Sequence, residues 1–86
     1  MLTERYSIEQ LILQNLIKKL RSERSLTQGM LASKLNVPQS FISKYESGER
    51  HLSFVELFTI CKALGLSITE FSQLYEERVS NNESKQ

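Results

Sequence analysis

Apolar residues recur at three- and four-residue spacing along almost the whole of this chain, and only three glycines and one proline interrupt them. That period marks consecutive amphipathic helices, each turning one stripe towards a shared core. No period-two alternation is long enough for a convincing strand, no segment repeats, and no low-complexity linker divides the chain. A chain of 86 residues is the length of one small domain, whose modest core leaves little stability to spare. The expected fold is all-α, a compact bundle of five helices forming a single domain over residues 1–79. The polar tail at 80–86 has nothing to bury and is expected to be disordered.

Several function classes are excluded early. The apolar stretches are short and interrupted by Lys, Glu or Gln, so no segment is expected to span a membrane. Met1 to Arg5 lacks a basic region followed by an apolar run, so no signal peptide is visible. Cys61 is the only cysteine, which rules out an internal disulfide and fits a reducing cytoplasm. Cys61 and the lone His51 cannot assemble a Cys/His zinc site. No glycine loop could cradle a phosphate, and no titratable partner is expected beside His51 or Cys61. The chain is therefore expected to be neither an enzyme nor a cofactor carrier.

The net charge of +1 conceals an asymmetry. Residues 1–50 carry eight Lys/Arg against five Asp/Glu, whereas residues 51–86 carry three against five. The positive balance lies in the front half, where a nucleic-acid-facing surface would have to be.

The first helix is expected from about Ile8 to Arg24, capped by Ser7 with Gln10 completing a capping box. Its core stripe is Ile12 or Leu13, then Leu16, Ile17 and Leu20. Lys18, Lys19, Arg21 and Arg24 crowd its last turns, where cations either complement the helix dipole or meet phosphates. A short second helix starts after Thr27, a good N-cap, and runs to Leu35, with Met30 or Leu31, Ala32 and Leu35 inward. Asn36 tolerates the left-handed conformation that ends helices. Val37 and Pro38 open a third helix over about 38–46, which stops at Ser47 and Gly48. Ser53 caps a fourth helix, with Phe54 or Val55, Leu57, Phe58, Ile60, Cys61 and Leu64 apolar, and Gly65 ends it. Ser67 caps a fifth, with Ile68, Phe71, Leu74 and Tyr75 apolar.

The second and third helices are short and only three or four residues separate them. That is helix-turn-helix spacing, in which the second helix of the pair enters the DNA major groove. Ala32 is small where the two helices must cross closely, and Leu31, Leu35, Val37 and Ile42 form the wedge between them. Removing the inward positions leaves Gln39, Ser40, Ser43 and Lys44 on the outer face of the third helix. Their types suit base edges: Gln pairs with adenine, Lys with guanine, and Ser with several bases.

The segment LTQGMLASKLNVPQSFISKYESGER resembles the core of the XRE family, which includes the lambdoid phage repressors and Cro proteins. Leu26, Thr27, Gln28, Leu31, Ala32, Leu35, Val37, Ile42, Ser43, Glu46, Gly48 and Arg50 carry the likeness, with Ala63, Leu64 and Gly65 in the fourth helix. It covers roughly Leu16 to Phe71. Gly29 and Met30 stand where the family often has acidic residues, Asn36 replaces a turn glycine, and Pro38 replaces a Ser or Thr cap. The resemblance implies a bundle of the lambda-repressor type and sequence-specific binding of double-stranded DNA, as a transcriptional regulator and most simply a repressor. It implies base contacts from Gln39, Ser40, Ser43 and Lys44, and phosphate contacts from Thr27, Gln28 and Arg50. It also implies a structural ion pair between Arg21 and Glu46.

Small members of the family often dimerise through the last helix. Here Phe71, Leu74 and Tyr75 form the expected seam of a homodimer, with Tyr6 or Leu11 as further candidates. Such a dimer would set two copies of the third helix about 34 Å apart on a near-palindromic operator. The alternative is a protein-interaction module, antitoxin-like or partner-binding, that keeps the fold without DNA binding.

Overall fold

The computed structural model describes residues 4–84, with side chains from Ser7 to Glu83. Five helices follow in order: α1 (Glu4–Glu23), α2 (Gln28–Leu35), α3 (Gln39–Ser47), α4 (Phe54–Ala63) and α5 (Ile68–Ser84). No strand occurs among the described residues, and no helix there is long and apolar enough to cross a membrane. The all-α, five-helix architecture is the one that the apolar spacing requires.

Each helix contributes its buried stripe to one cluster. Leu16, Ile17 and Leu20 of α1 meet Leu31 and Ala32 of α2, Ile42 and Tyr45 of α3, Ile60 and Cys61 of α4, Leu64 and Phe71. Ala32, only 3% exposed, leaves α2 and α3 room to approach. Neither α2 nor α3, at eight and nine residues, is long enough to hold helical form without packing.

Punctuation is local chemistry. The Thr27 hydroxyl accepts the Met30 amide at 3.0 Å, and Asn36 closes α2 in the left-handed conformation at φ 57°. Pro38 stands as the N-cap of α3 without a side-chain cap bond, so the helix begins one residue later than expected. Gly48 ends it at φ 88°, and a Cβ there would also meet the Gln14 carboxamide at 3.1 Å. Ser53 with Glu56 forms a full capping box on α4, and Ser67 with Glu70 makes the same reciprocal pair at α5.

The structure corrects three expectations. The capping box expected at Ser7 is absent, because α1 starts at Glu4 and holds Ser7 inside it; Gln10 donates to Gln14 instead, at 3.3 Å. The segment from Ser80, expected to be disordered, continues α5 to Ser84. It lies along the lengthened α1, where Ile12 and Asn15 share a groove with Arg78, Asn81 and Asn82. Residues 85 and 86 lie outside the described residues. Phe71 is not a surface residue: at 2% exposure it is a core side chain. Conversely, Phe54, Val55 and Phe58 of α4 point outward, because Ile60, Cys61 and Leu64 turn the opposite side of that helix inward.

One buried polar atom is left over. The Tyr45 hydroxyl has no hydrogen-bond partner among the described residues, and burial pushes its pKa upward, so it stays a neutral phenol. An unsatisfied buried hydroxyl costs about 1–3 kcal/mol. Tyr45→Phe keeps the ring and its edge-on contact with Phe41 while removing that atom. Equilibrium urea denaturation should show the variant stabilised by about 1 kcal/mol; destabilisation would mean that the hydroxyl is satisfied in solution.

Candidate nucleic-acid interface

The outer face of α3 is polar throughout. Gln39, Ser40, Lys44 and Ser47 are exposed and Ser43 is half-buried, whereas Ile42 and Tyr45 face the core. Helical spacing places the five polar residues on one stripe. The Ser43 hydroxyl donates to the Ser40 carbonyl at 3.3 Å and the Ser47 hydroxyl to the Lys44 carbonyl at 3.1 Å. Gln39 and Lys44 are the long side chains that stand out from this surface. Ser47 shares the stripe one turn on, a position that sequence reasoning passed over as the end of the helix.

The start of α2 adjoins this face. A Cβ at Gly29 would lie 3.6 Å from the Gln39 carboxamide oxygen and 3.9 Å from the Thr27 hydroxyl oxygen. The glycine that weakens helix propensity there leaves the two helix starts in close company. The amides of Gln28 and Gly29, in the first turn of α2, have no intrahelical acceptor and suit an anion.

What holds α3 in place is a buried ion pair. Arg21 Nε donates to Glu46 Oε2 at 2.7 Å and a terminal guanidinium nitrogen donates to Oε1 at 2.9 Å. The two side chains are only 10% and 3% exposed. The other terminal nitrogen donates to the Leu26 carbonyl at 2.6 Å, tying the α1–α2 connection to the same group. Hydrogen bonding to Glu46 raises the Arg21 pKa against the opposing effect of burial. Gln28 Nε2 also donates to Glu46 Oε1, at 3.0 Å. The Gln28 carboxamide, expected to face a phosphate, is thus engaged inward, and the backbone amide remains as its outward donor.

Arg50 is similarly committed. Both terminal nitrogens donate to the Glu56 carboxylate, at 3.0 and 2.8 Å, and the guanidinium lies 4.4 Å from the centroid of the Phe41 ring. An arm expected to reach a phosphate is therefore a brace from the end of α3 to the first turn of α4. Arg24 is turned inward as well, donating to the Leu64 and Leu20 carbonyls, and Lys19 pairs with Glu23 at 2.7 Å. Of the basic cluster at the end of α1, two guanidiniums serve the fold.

The residues expected at a dimer seam are engaged inside the protomer. Phe71 is core, and Leu74 and Tyr75 are half-buried against it. The Tyr75 hydroxyl donates to the Glu9 carbonyl at 3.0 Å. Leu11 is exposed, and the side chain of Tyr6 lies outside the described residues. Cys61 is buried, which pushes its thiol up to about 11 and makes it a poor nucleophile. Among the described residues no group of His, Cys, Asp and Glu could hold a metal ion.

Two outcomes follow from these ion pairs. Arg21→Met strands the buried Glu46 carboxylate and should cost about 3–5 kcal/mol in denaturant unfolding, while adding Glu46→Leu should restore most of it. Failure of the double variant to recover would show that the pair supplies more than charge neutralisation. Glu56, held by Arg50 and by the Ser53 amide, has its pKa lowered from 4.5 to about 2. Its contribution is complete above pH 4.5 and is lost as pH falls towards 2. Glu56→Gln should therefore flatten the loss of stability across that window, measured by thermal melts at stepped pH.

Comparison with known proteins agrees with this architecture. Residues 17–71 match the model of the helix-turn-helix family. Control protein C.MunI of a Mycoplasma sp is 35% identical over 65 residues, spanning 73% of this chain and 88% of that protein. The wild-type restriction-modification controller protein C.Esp1396I superposes with a TM-score of 0.79 at 30% identity, over 85% of this chain and 95% of that one. The same controller, as a tetramer in complex with its natural 35 base-pair operator, gives 0.76 at 31% identity, over 83% and 93% of the two chains. ClgR, the clp gene regulator from Corynebacterium glutamicum, shares the fold, with a TM-score of 0.77 at 21% identity over 90% and 82%. The helix pair Gln28–Leu35 and Gln39–Ser47, the matched segment and these relatives agree: the chain belongs to the XRE family of helix-turn-helix DNA-binding proteins.

Proposed function

We propose that this protein is a sequence-specific transcriptional regulator that binds double-stranded operator DNA as a homodimer and controls a restriction-modification system. The observation that carries the reading is the exposed polar stripe of α3, fixed to α1 by the buried Arg21–Glu46 pair. A short helix held rigidly with Gln39, Ser40 and Lys44 outward can present donors and acceptors to base edges in the major groove. Ser43 sits lower on the same face and contributes at closer range. The Thr27 hydroxyl and the first amides of α2 position the protein on phosphates, which fixes register without reading sequence. Arg50 acts in this scheme mainly by bracing α3 against α4.

The relatives support the finer part of the reading. One is named a control protein and another a restriction-modification controller, and the latter stands on its operator as a tetramer. Two copies of α3 in successive major grooves, about 34 Å apart, call for a near-palindromic site. Repression is the simplest output, since occupancy of an operator that overlaps a promoter suffices.

Selection of binding sites from random duplex DNA tests the reading, run with wild type, Lys44→Ala and Thr27→Val in parallel. Wild type should yield a palindromic consensus. Lys44→Ala should lose information at one symmetric position, worth about 1–3 kcal/mol per contact. Thr27→Val should weaken all sites alike and leave the consensus unchanged. Absence of any enrichment at low salt, from protein with a native circular dichroism spectrum, would sink the proposal.

A further inference from the structure

Gln14 of α1 is a carboxamide set in an inward stripe. Residues 10, 14, 17 and 21 fall on one side of the helix at steps of four and three, and there Gln14 is 9% exposed, beside Ile17 at 1% and Arg21 at 8%. Burying a carboxamide is costly unless its donors and acceptors are met. Gln14 Nε2 donates to the Glu46 carbonyl of α3 at 3.5 Å, and Gln14 Oε1 accepts from Gln10 Nε2 at 3.3 Å. The second bond fixes which way the carboxamide faces, with its donor turned towards α3.

The accepting carbonyl belongs to the last turn of α3, where carbonyls run out of helical donors. The two amides that fold back on this end go to its neighbours: Gly48 donates to the Tyr45 carbonyl at 3.4 Å and Arg50 to the Lys44 carbonyl at 3.1 Å. Gln14 lies close under this turn, since a Cβ on Gly48 would stand 3.1, 3.2 and 3.4 Å from three atoms of its carboxamide. The glycine clears the space that the carboxamide fills.

We propose that Gln14 is a positioning residue for base readout, holding the C-terminal end of α3 by the Glu46 carbonyl while Arg21 holds the Glu46 side chain. The inference rests on the DNA-binding reading above and names a residue of α1 that serves it without touching DNA.

A side-chain attachment alone leaves a short helix free to tilt about that point, and a second attachment through the backbone removes the freedom. The two ends of α3 then answer to different neighbours. Gln39, at the start, stands beside Gly29 of α2, whereas Lys44 and Ser47 lie within one turn of Glu46. Gln14 therefore governs contacts made at Lys44 and Ser47 more than those made at Gln39. It also precedes residues 17–71, which match the helix-turn-helix family, so this support comes from outside the shared segment.

Gln14→Met keeps the length of the side chain and removes its donor, while Phe71→Leu, a core substitution on α5, controls for lost stability alone. Hydrogen exchange of the full chain without DNA is the first measurement. In Gln14→Met the Arg50 amide should exchange about fivefold faster relative to the Leu31 amide of α2, the effect of one net hydrogen bond. In Phe71→Leu that ratio should not rise. The second measurement is binding to the duplex that wild type selects, with symmetric base changes at the positions that Lys44→Ala and Gln39→Ala identify. Gln14→Met should lose about fivefold of the discrimination at the Lys44 position and keep that at the Gln39 position within about twofold. Phe71→Leu should keep both. Unchanged discrimination at the Lys44 position, with a wild type that selects a palindrome, would overturn the role of Gln14 alone. Equal losses at both positions would overturn it as well, because they denote a general loosening. A wild type that enriches no site at low salt would overturn the DNA-binding reading and this role together, and faster exchange at Arg50 would then mark Gln14 as a brace of the fold only.

Discussion

The position of α3 depends on one carboxylate. Glu46 receives Arg21 twice and Gln28 once, and those donors come from α1 and α2. A nine-residue helix has little stability of its own, so its geometry is whatever its packing and this pair impose. Burying the pair is costly, and apolar residues of similar volume could serve stability as well. What apolar residues could not supply is direction. Two parallel hydrogen bonds from a planar guanidinium fix the roll of α3 about its axis, and roll decides which side chains stand outward.

Much of this architecture was legible in the residues. The inward stripe of α2 and α3 at Leu31, Ala32, Ile42 and Tyr45 follows from spacing, and so does the outward position of Gln39, Ser40 and Lys44. The breaks after α2 and α3 follow from Asn36 and Gly48, residues suited to the left-handed conformation that each adopts. The sidedness of α4 was not legible. That helix is apolar nearly all round, so periodicity alone cannot choose between Phe58 and Ile60 as the inward residue. Nor could spacing separate Phe71 from Leu74 and Tyr75, because depth depends on where α1 passes.

Other features were invisible for a different reason. The extension of α5 to Ser84 needs the track that α1 provides, a contact between the two ends of the chain. The engagement of Arg50 needs the first turn of α4 to lie beside the end of α3. In the sequence Arg50 is one basic residue past a glycine; in the fold it is held between an aromatic ring and a carboxylate. Local chemistry predicts caps and turns well, whereas side-chain partners across elements are set by tertiary packing.

The commitment of the arginines changes how the surface charge should be counted. The front half of the chain carries a surplus of basic residues, yet Arg21, Arg24 and Arg50 all give guanidinium hydrogens to groups of the protein itself. A polyanion releases counterions only for the cations that reach its phosphates. Under the proposed DNA-binding role, the ionic footprint would accordingly be smaller than the composition suggests, and more of the grip would fall to neutral donors such as hydroxyls and helix-end amides. Such contacts depend on distance and angle more than on ionic strength, and in that role they would shift discrimination from electrostatic attraction towards shape.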